Sequence, residues 1–204
     1  LADETANRLT ISDQAITVNS AGTISVDTAN LLEATTSGVI TASITTSETV
    51  DELQTLTGTG NAYTIVIANG DATATTASEF TSINGKTTVA VNLTNVTALA
   101  GSSLTDLATL ATAIDANEFS NAAGLTTIAV TDTTIDATTL AQRIDSYDSI
   151  NGGDTTDMTL ASGATINVDA SEVTHMLADE TAGRLTISDQ AITCLLYTSP
   201  SPRD

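Results

Sequence analysis

A long internal repeat constrains the fold of this chain more than any other feature. Residues 1–17 are LADETANRLTISDQAIT and residues 177–193 are LADETAGRLTISDQAIT, so the two segments differ only at Asn7 and Gly183. Because chance does not produce 16 matches in 17 positions, the spacing of 176 residues indicates a tandem repeat. We predict that residues 1–176 form one full repeat and that residues 177–193 begin the next.

The composition of the chain changes directly after the second copy. The first copy continues beyond Thr17 as VNSAGTISVD, whereas residues 194–204 are CLLYTSPSPRD and hold the single cysteine, Cys194, and both prolines. This string resembles the translation of a Nextera-type transposase sequencing adapter. The resemblance implies a non-native tail on a fragment of a longer protein, so these residues are excluded from fold prediction and expected to be irregular.

Strand-like and helix-like segments alternate between the two copies. Runs of β-branched residues with apolar residues at every second position predict strands. These runs are residues 9–18, 23–26, 39–44, 63–68, 88–93, 126–131, 156–160 and 165–168. Apolar residues three or four positions apart predict short helices between them, the longest over residues 104–119. Capping-box-like pairs mark helix starts at Thr49 with Glu52, Thr76 with Glu79, Ser103 with Asp106 and Asp169 with Glu172.

This alternation predicts an α/β fold. About six strand–helix units of roughly 29 residues fill one period. Parallel strands joined by crossovers of that length can stack into a solenoid, at about 4.8 Å per coil. We therefore predict an α/β solenoid of stacked parallel β-strands alternating with short helices. A string of all-β repeat domains is the alternative, and it predicts almost no helix.

The charge and composition exclude several classes of function. The net charge is −20, which repels nucleic-acid phosphates and anionic membrane surfaces, and no apolar run is long enough to span a bilayer. The absence of cysteine before Cys194 removes disulfides, zinc sites and thiol chemistry. With 42 threonines, no tryptophan and 2% aromatic residues, the core must be built from aliphatic side chains and threonine methyl groups.

Three segments carry a resemblance to known proteins. TLTGTGNAYTIVIANG, SINGKTTVAV and TTIAVTDTTIDATTLAQRID resemble the giant adhesin-like, tandem β-strand-repeat proteins on the surface of marine and cyanobacterial-type bacteria. The resemblance implies an extracellular or cell-surface location and a structural or adhesive role without catalysis. The implied partners are neighbouring repeats of the same chain, and cell-surface glycans or other cells, with neither nucleic-acid binding nor membrane insertion. It assigns no functional residue.

The candidate chemistry is sparse. His175 is the one histidine, and without a second histidine or a nearby cysteine it is predicted to be structural, so no catalytic residue and no cofactor is assigned. Acidic residues on glycine-rich turns supply oxygen ligands of the kind that calcium prefers. We name Asp71, Asp154 and Asp157 as the candidate calcium ligands, with solvated turns as the simpler interpretation.

A second functional hypothesis is a carbohydrate- or calcium-binding β-helix domain of an extracellular protein. Sugar binding usually needs exposed aromatic rings. The candidates Tyr63, Phe80, Phe119 and Tyr147 all occupy positions typical of a core.

Overall fold

The structure is a computed structural model that describes residues 10–19, 22–67 and 75–195. The helices of the described chain are α1 (Val26–Glu33), α2 (Val50–Gln54), α3 (Ala77–Asn84), α4 (Leu104–Asp115), α5 (Ala137–Asn151) and α6 (Val173–Thr181), with a 3-10 turn at Ala122–Gly124. The strands are β1 (Ile16–Thr17), β2 (Thr23–Ile24), β3 (Ile40–Ile44), β4 (Ala62–Thr64), β5 (Val91–Asn92), β6 (Ala98–Ser102), β7 (Phe119–Ser120), β8 (Thr127–Val130), β9 (Thr134–Asp136), β10 (Asp157–Thr159), β11 (Thr165–Asp169), β12 (Leu185–Thr186) and β13 (Ala191–Leu195).

Every strand pair among the described residues is parallel. Opposed residues are 20 to 31 positions apart in sequence, from Thr23 opposite Ser43 to Thr134 opposite Thr165. The longest ladder places β6, β8, β10 and β12 side by side, and a second one places β9, β11 and β13 side by side. The predicted α/β fold with parallel strands and short helices is therefore confirmed, and the all-β alternative is wrong.

One continuous core runs between the strands and the helices, and it is mainly aliphatic. Ile135 and Ile166 stand opposite each other in adjacent strands and are both fully buried. The four aromatic residues assigned to core positions, Tyr63, Phe80, Phe119 and Tyr147, are buried as predicted. None of them is available to stack on a sugar ring.

Polar side chains connect segments that follow one another along the ladder. The Asn30 amide donates to the Thr55 carbonyl at 3.1 Å and its Oδ1 accepts from the Thr57 N–H at 2.8 Å. The buried Asn61 accepts from the Ile40 N–H at 2.8 Å and donates to the Glu33 carboxylate at 2.7 Å. Three of these four bonds satisfy backbone groups, those of Ile40, Thr55 and Thr57, so side chains complete the hydrogen bonding between neighbouring units.

Local helix signals are mostly confirmed. Thr49 with Glu52 and Thr76 with Glu79 form full capping boxes, in which each side chain bonds the other residue's N–H. The box predicted between Asp169 and Glu172 is wrong in part. The Glu172 carboxylate does accept from the Asp169 N–H at 3.2 Å. The Asp169 carboxylate, however, accepts from the Ser171 N–H, and α6 begins only at Val173.

Several strands are shorter than predicted, among them residues 88–93, of which only Val91–Asn92 form a strand. Other elements differ more from the prediction. The strand over residues 9–18 is reduced, within the described residues, to Ile16–Thr17 because a bend lies at Ser12 and Asp13. Helix α1 was not predicted, although Ser25 caps it through the Thr28 N–H. The helix over residues 104–119 ends at Asp115, since the left-handed Asn117 (φ 61°) follows, and Phe119 lies in β7. Cys194 and Leu195 extend β13 opposite Val168 and Asp169, because backbone pairing requires no particular side chains.

The two buried tyrosines give a matched test of this core. Burial raises the pKa of Tyr63 to about 12, with the negative charge of Glu33 adding to it, and burial also raises the pKa of Tyr147. The Tyr147 hydroxyl donates to the Leu107 carbonyl at 3.2 Å, whereas the Tyr63 hydroxyl is buried without a partner among the described residues.

We expect Tyr147→Phe to lower the free energy of unfolding by about 1 kcal/mol, because a buried hydrogen bond is lost. Tyr63→Phe is expected to be neutral or slightly stabilising, because it removes an unsatisfied buried hydroxyl. Urea denaturation of both variants measures the difference. A greater loss for Tyr63→Phe would show that its hydroxyl is satisfied.

Candidate functional site

Where the structure describes both copies of the repeated sequence, the two have closely similar local structure. Residues 10–17, the first junction segment, and residues 186–193, the second junction segment, are both TISDQAIT and both bend before entering a strand. In the first, the Gln14 side chain accepts from the Ser12 N–H at 2.9 Å. In the second, the Gln190 side chain accepts from the Ser188 N–H at 2.7 Å. The repeated residues therefore form a locally determined structure with its own side-chain bonds.

The first junction segment bonds to the part of the chain that follows it. The Ile16 N–H donates to the Val39 carbonyl at 3.0 Å, and the Val18 N–H donates to the Thr41 carbonyl at 2.9 Å. Strand β1 thus pairs with β3 through the N–H groups of residues 16 and 18.

The second junction segment bonds to the part of the chain that precedes it. The Ala191 N–H donates to the Ala164 carbonyl at 2.9 Å, and the Gln190 amide donates to the Ala161 carbonyl at 3.0 Å. The Ser162 hydroxyl donates to Asp189, and this bond is the main cause of the lowered pKa of Asp189. The same sequence therefore makes contacts on opposite sides in its two positions.

Gly38 allows the close approach beside the first junction segment. A Cβ atom at this position would lie 2.4 Å from the carbonyl carbon and oxygen of Gln14 and 2.6 Å from the nitrogen of Ala15. These are backbone atoms that cannot turn aside, so any larger residue would force the two segments apart. On the same surface, the Ser37 N–H donates to the Ser12 carbonyl at 2.8 Å.

A buried charge cluster lies near the second junction segment. Arg184 pairs with Asp148 at 3.1 Å, with Asp179, and with the exposed Asp154 at 3.5 Å. Burial raises the pKa of Asp179, and Arg184 offsets only part of that rise. Burial alone would lower the pKa of Arg184, but the hydrogen bond to Asp148 and the surrounding carboxylates outweigh it and raise the pKa.

A cavity of about 120 Å³ adjoins this cluster. Its lining comes mainly from α5 and α6 and comprises Ala137, Thr138, Leu140, Ala141, Glu172, His175, Met176, Asp179 and Leu185. The Thr138 hydroxyl donates to Glu172 within the cavity wall. His175 is exposed on α6 beside these carboxylates, and the lining holds no serine or cysteine for it to activate.

The two predicted calcium ligands within the described residues contact different partners. Asp154 pairs with Arg184, and Asp157 accepts from the Thr186 hydroxyl at 3.3 Å. Asp71 lies outside the described residues. Within the described ranges, no three His, Cys, Asp or Glu side chains are grouped to hold a metal ion. Calcium binding stays a sequence-based prediction.

Sequence reasoning missed the charge cluster, because its members are distant along the chain. Arg184 contacts Asp148 across 36 positions. One signal was available. The chain has 25 acidic and 5 basic residues, so each arginine is a strong candidate for a structural ion pair.

No described helix has the length and apolar character needed to cross a membrane. Comparisons with protein-family models, with curated proteins and with solved structures find no match to this chain.

Proposed function

We propose that this chain is a structural or adhesive segment of a long, extracellular or cell-surface repeat protein. Its strand–helix units would stack as an open α/β solenoid, and its function would be to extend rather than to catalyse. The parallel ladders and the six helices of the described residues support this proposal, because each strand pairs with a strand from a neighbouring unit.

The observation that carries the proposal is the pair of junction segments. Residues 10–17 bond to the unit that follows them, and residues 186–193 bond to the unit that precedes them. Superposing one segment on the other would give a single segment with a neighbour on each side. The stack could therefore continue across the junction without a change of geometry.

The surface supports an extended structural role over glycan binding. Like charges keep long molecules apart, and the net charge is −20. The four aromatic residues considered for sugar stacking are buried. The glycan-binding alternative therefore lacks its usual contact surface in the described part of the chain.

Proteins with one, two and three directly joined copies of residues 1–176 test the proposal. Six units at about 4.8 Å each should add roughly 29 Å to the maximum dimension for each copy, as measured by small-angle X-ray scattering. The melting temperature should also rise with copy number, because each added copy covers an exposed end.

A matched control carries a flexible Gly-Ser linker at each junction. It should lose the fixed increment of roughly 29 Å per copy and the rise in melting temperature, because the junction segment can no longer contact units on both sides. If the directly joined proteins melted at one temperature whatever their copy number, the copies would be independent domains and the solenoid proposal would be wrong.

A further inference from the structure

The cavity between α5 and α6 takes no part in the proposed stacking of repeat units. Its walls come from two consecutive units within the described residues 75–195, and they are largely apolar through Leu140, Ala141, Met176 and Leu185. Its volume of about 120 Å³ is close to the roughly 150 Å³ of an apolar protein cavity that binds benzene. The cavity therefore has room for one small organic molecule.

The polar part of the lining favours a positively charged molecule. It consists of Thr138, Glu172, His175 and Asp179, and none of the lining residues is a lysine or an arginine. Glu172 is half-buried, and its carboxylate accepts from two neutral donors, the Thr138 hydroxyl and the Asp169 N–H. Hydrogen bonding and burial therefore hold a carboxylate at the wall of an apolar space.

The second carboxylate of the lining lies where negative charge exceeds positive charge. The Asp179 side chain is 10% exposed, and it shares Arg184 with Asp148 and Asp154. Three carboxylates thus surround one guanidinium group. Burial raises the pKa of Asp179, and the nearby Asp145 and Asp148 raise it further. A cation in the cavity would supply the positive charge that this group of carboxylates lacks.

We propose that the cavity binds a small alkylammonium ion. The ammonium group would lie at the carboxylates of Glu172 and Asp179. The alkyl group would lie against Leu140, Ala141 and Met176, which gives it the apolar contact that a metal ion or free ammonium could not use. The bound ion would contact α5 and α6 together and so link two consecutive units of the chain.

A pair of ligands that differ mainly in charge tests the proposal. Isobutylammonium is a cation at neutral pH, as a lysine side chain is, and isobutanol is its neutral counterpart of equal size. We expect isobutylammonium to bind with a dissociation constant of about 1 mM or lower, and isobutanol to bind at least about tenfold more weakly. NMR titration of the full chain in about 0.15 M NaCl measures both constants, since this salt screens unspecific attraction to the charge of −20.

Three variants locate the site. Glu172→Gln keeps a side chain of the same shape, and it should weaken isobutylammonium binding by about tenfold while leaving isobutanol unchanged. Ala141→Leu places three more carbon atoms in the cavity, so it should abolish binding of both ligands. Asp115→Asn is the matched control, because Asp115 is exposed at the end of α4 and does not line the cavity. It removes one negative charge and should change the affinity by less than about twofold.

A thermal melt gives a second measurement. Isobutylammonium chloride should raise the melting temperature more than the same concentration of sodium chloride does, because specific binding stabilises the folded state. Glu172→Gln should lose this difference, and circular dichroism verifies that each variant is folded.

Three results would overturn the proposal. Equal affinity for isobutanol and isobutylammonium would show an apolar cavity without preference for charge. Undiminished isobutylammonium binding by folded Ala141→Leu would place the ion on the charged surface. Binding of neither ligand would show that the cavity is a packing defect. None of these results bears on the growth in length of the directly joined repeats, so the proposed function is tested separately.

Discussion

Replacing Arg184 with methionine is expected to lower the free energy of unfolding by about 3 to 5 kcal/mol, because it leaves buried carboxylates without a countercharge. Asp148 and Asp179 have side chains only 8% and 10% exposed, and Arg184 contacts both. Chemical denaturation at pH 7 measures the loss. A change below about 1 kcal/mol would show that the cluster is effectively solvated.

Asp154→Asn is the matched control. Asp154 contacts the same arginine at 3.5 Å, but its side chain is 81% exposed, so the loss should stay within about 1 kcal/mol.

The loss in free energy of unfolding caused by Arg184→Met should become smaller as the pH falls. Burial already raises the pKa of Asp179, and losing Arg184 raises it further. The folded state then binds more protons than the unfolded state, so stability increases as the pH falls from the folded pKa towards the unfolded value.

Replacing Ile166 with alanine is expected to cost about 2 to 5 kcal/mol, because the side chain is fully buried in the centre of a parallel ladder. Ile192→Ala, at the adjacent position in the same ladder, should cost about 1 kcal/mol or less, since half of its surface is already exposed. Thermal and urea unfolding of the two variants compares them directly. Equal losses would mean that another part of the chain covers Ile192.

The parts of the fold that could be predicted from sequence are those with short-range causes. The Thr49 and Thr76 capping boxes form as predicted because both partners lie within one helical turn. Tyr63, at the centre of β4, and Ile65 and Ile67, just beyond it, are buried as predicted, because extended backbone places every second residue on the same side. The repeat likewise indicated two segments of equal conformation, which is confirmed for residues 10–17 and 186–193.

The remaining features depend on contacts that local patterns do not contain. The bend at Ser12 and Asp13 is stabilised by the Gln14 side chain, so an apolar run that resembles one long strand is interrupted. The pairing of Arg184 with Asp148 depends on how α5 and β12 come together. Of the three carboxylates chosen as calcium ligands, Asp154 and Asp157 meet different partners, because sequence spacing does not determine where loops converge.

The parallel ladders also determine how this protein would respond to stretching. β1 and β13 each lie at an edge of their own sheet. With the units stacked as we propose, tension applied between them would act along the direction of the interstrand hydrogen bonds. Such bonds open one pair at a time rather than all together. Each opened pair releases the 20 to 31 residues between its opposed positions, which extend to roughly 70 to 110 Å. A chain built in this way would lengthen stepwise under a low load and absorb mechanical work at each step.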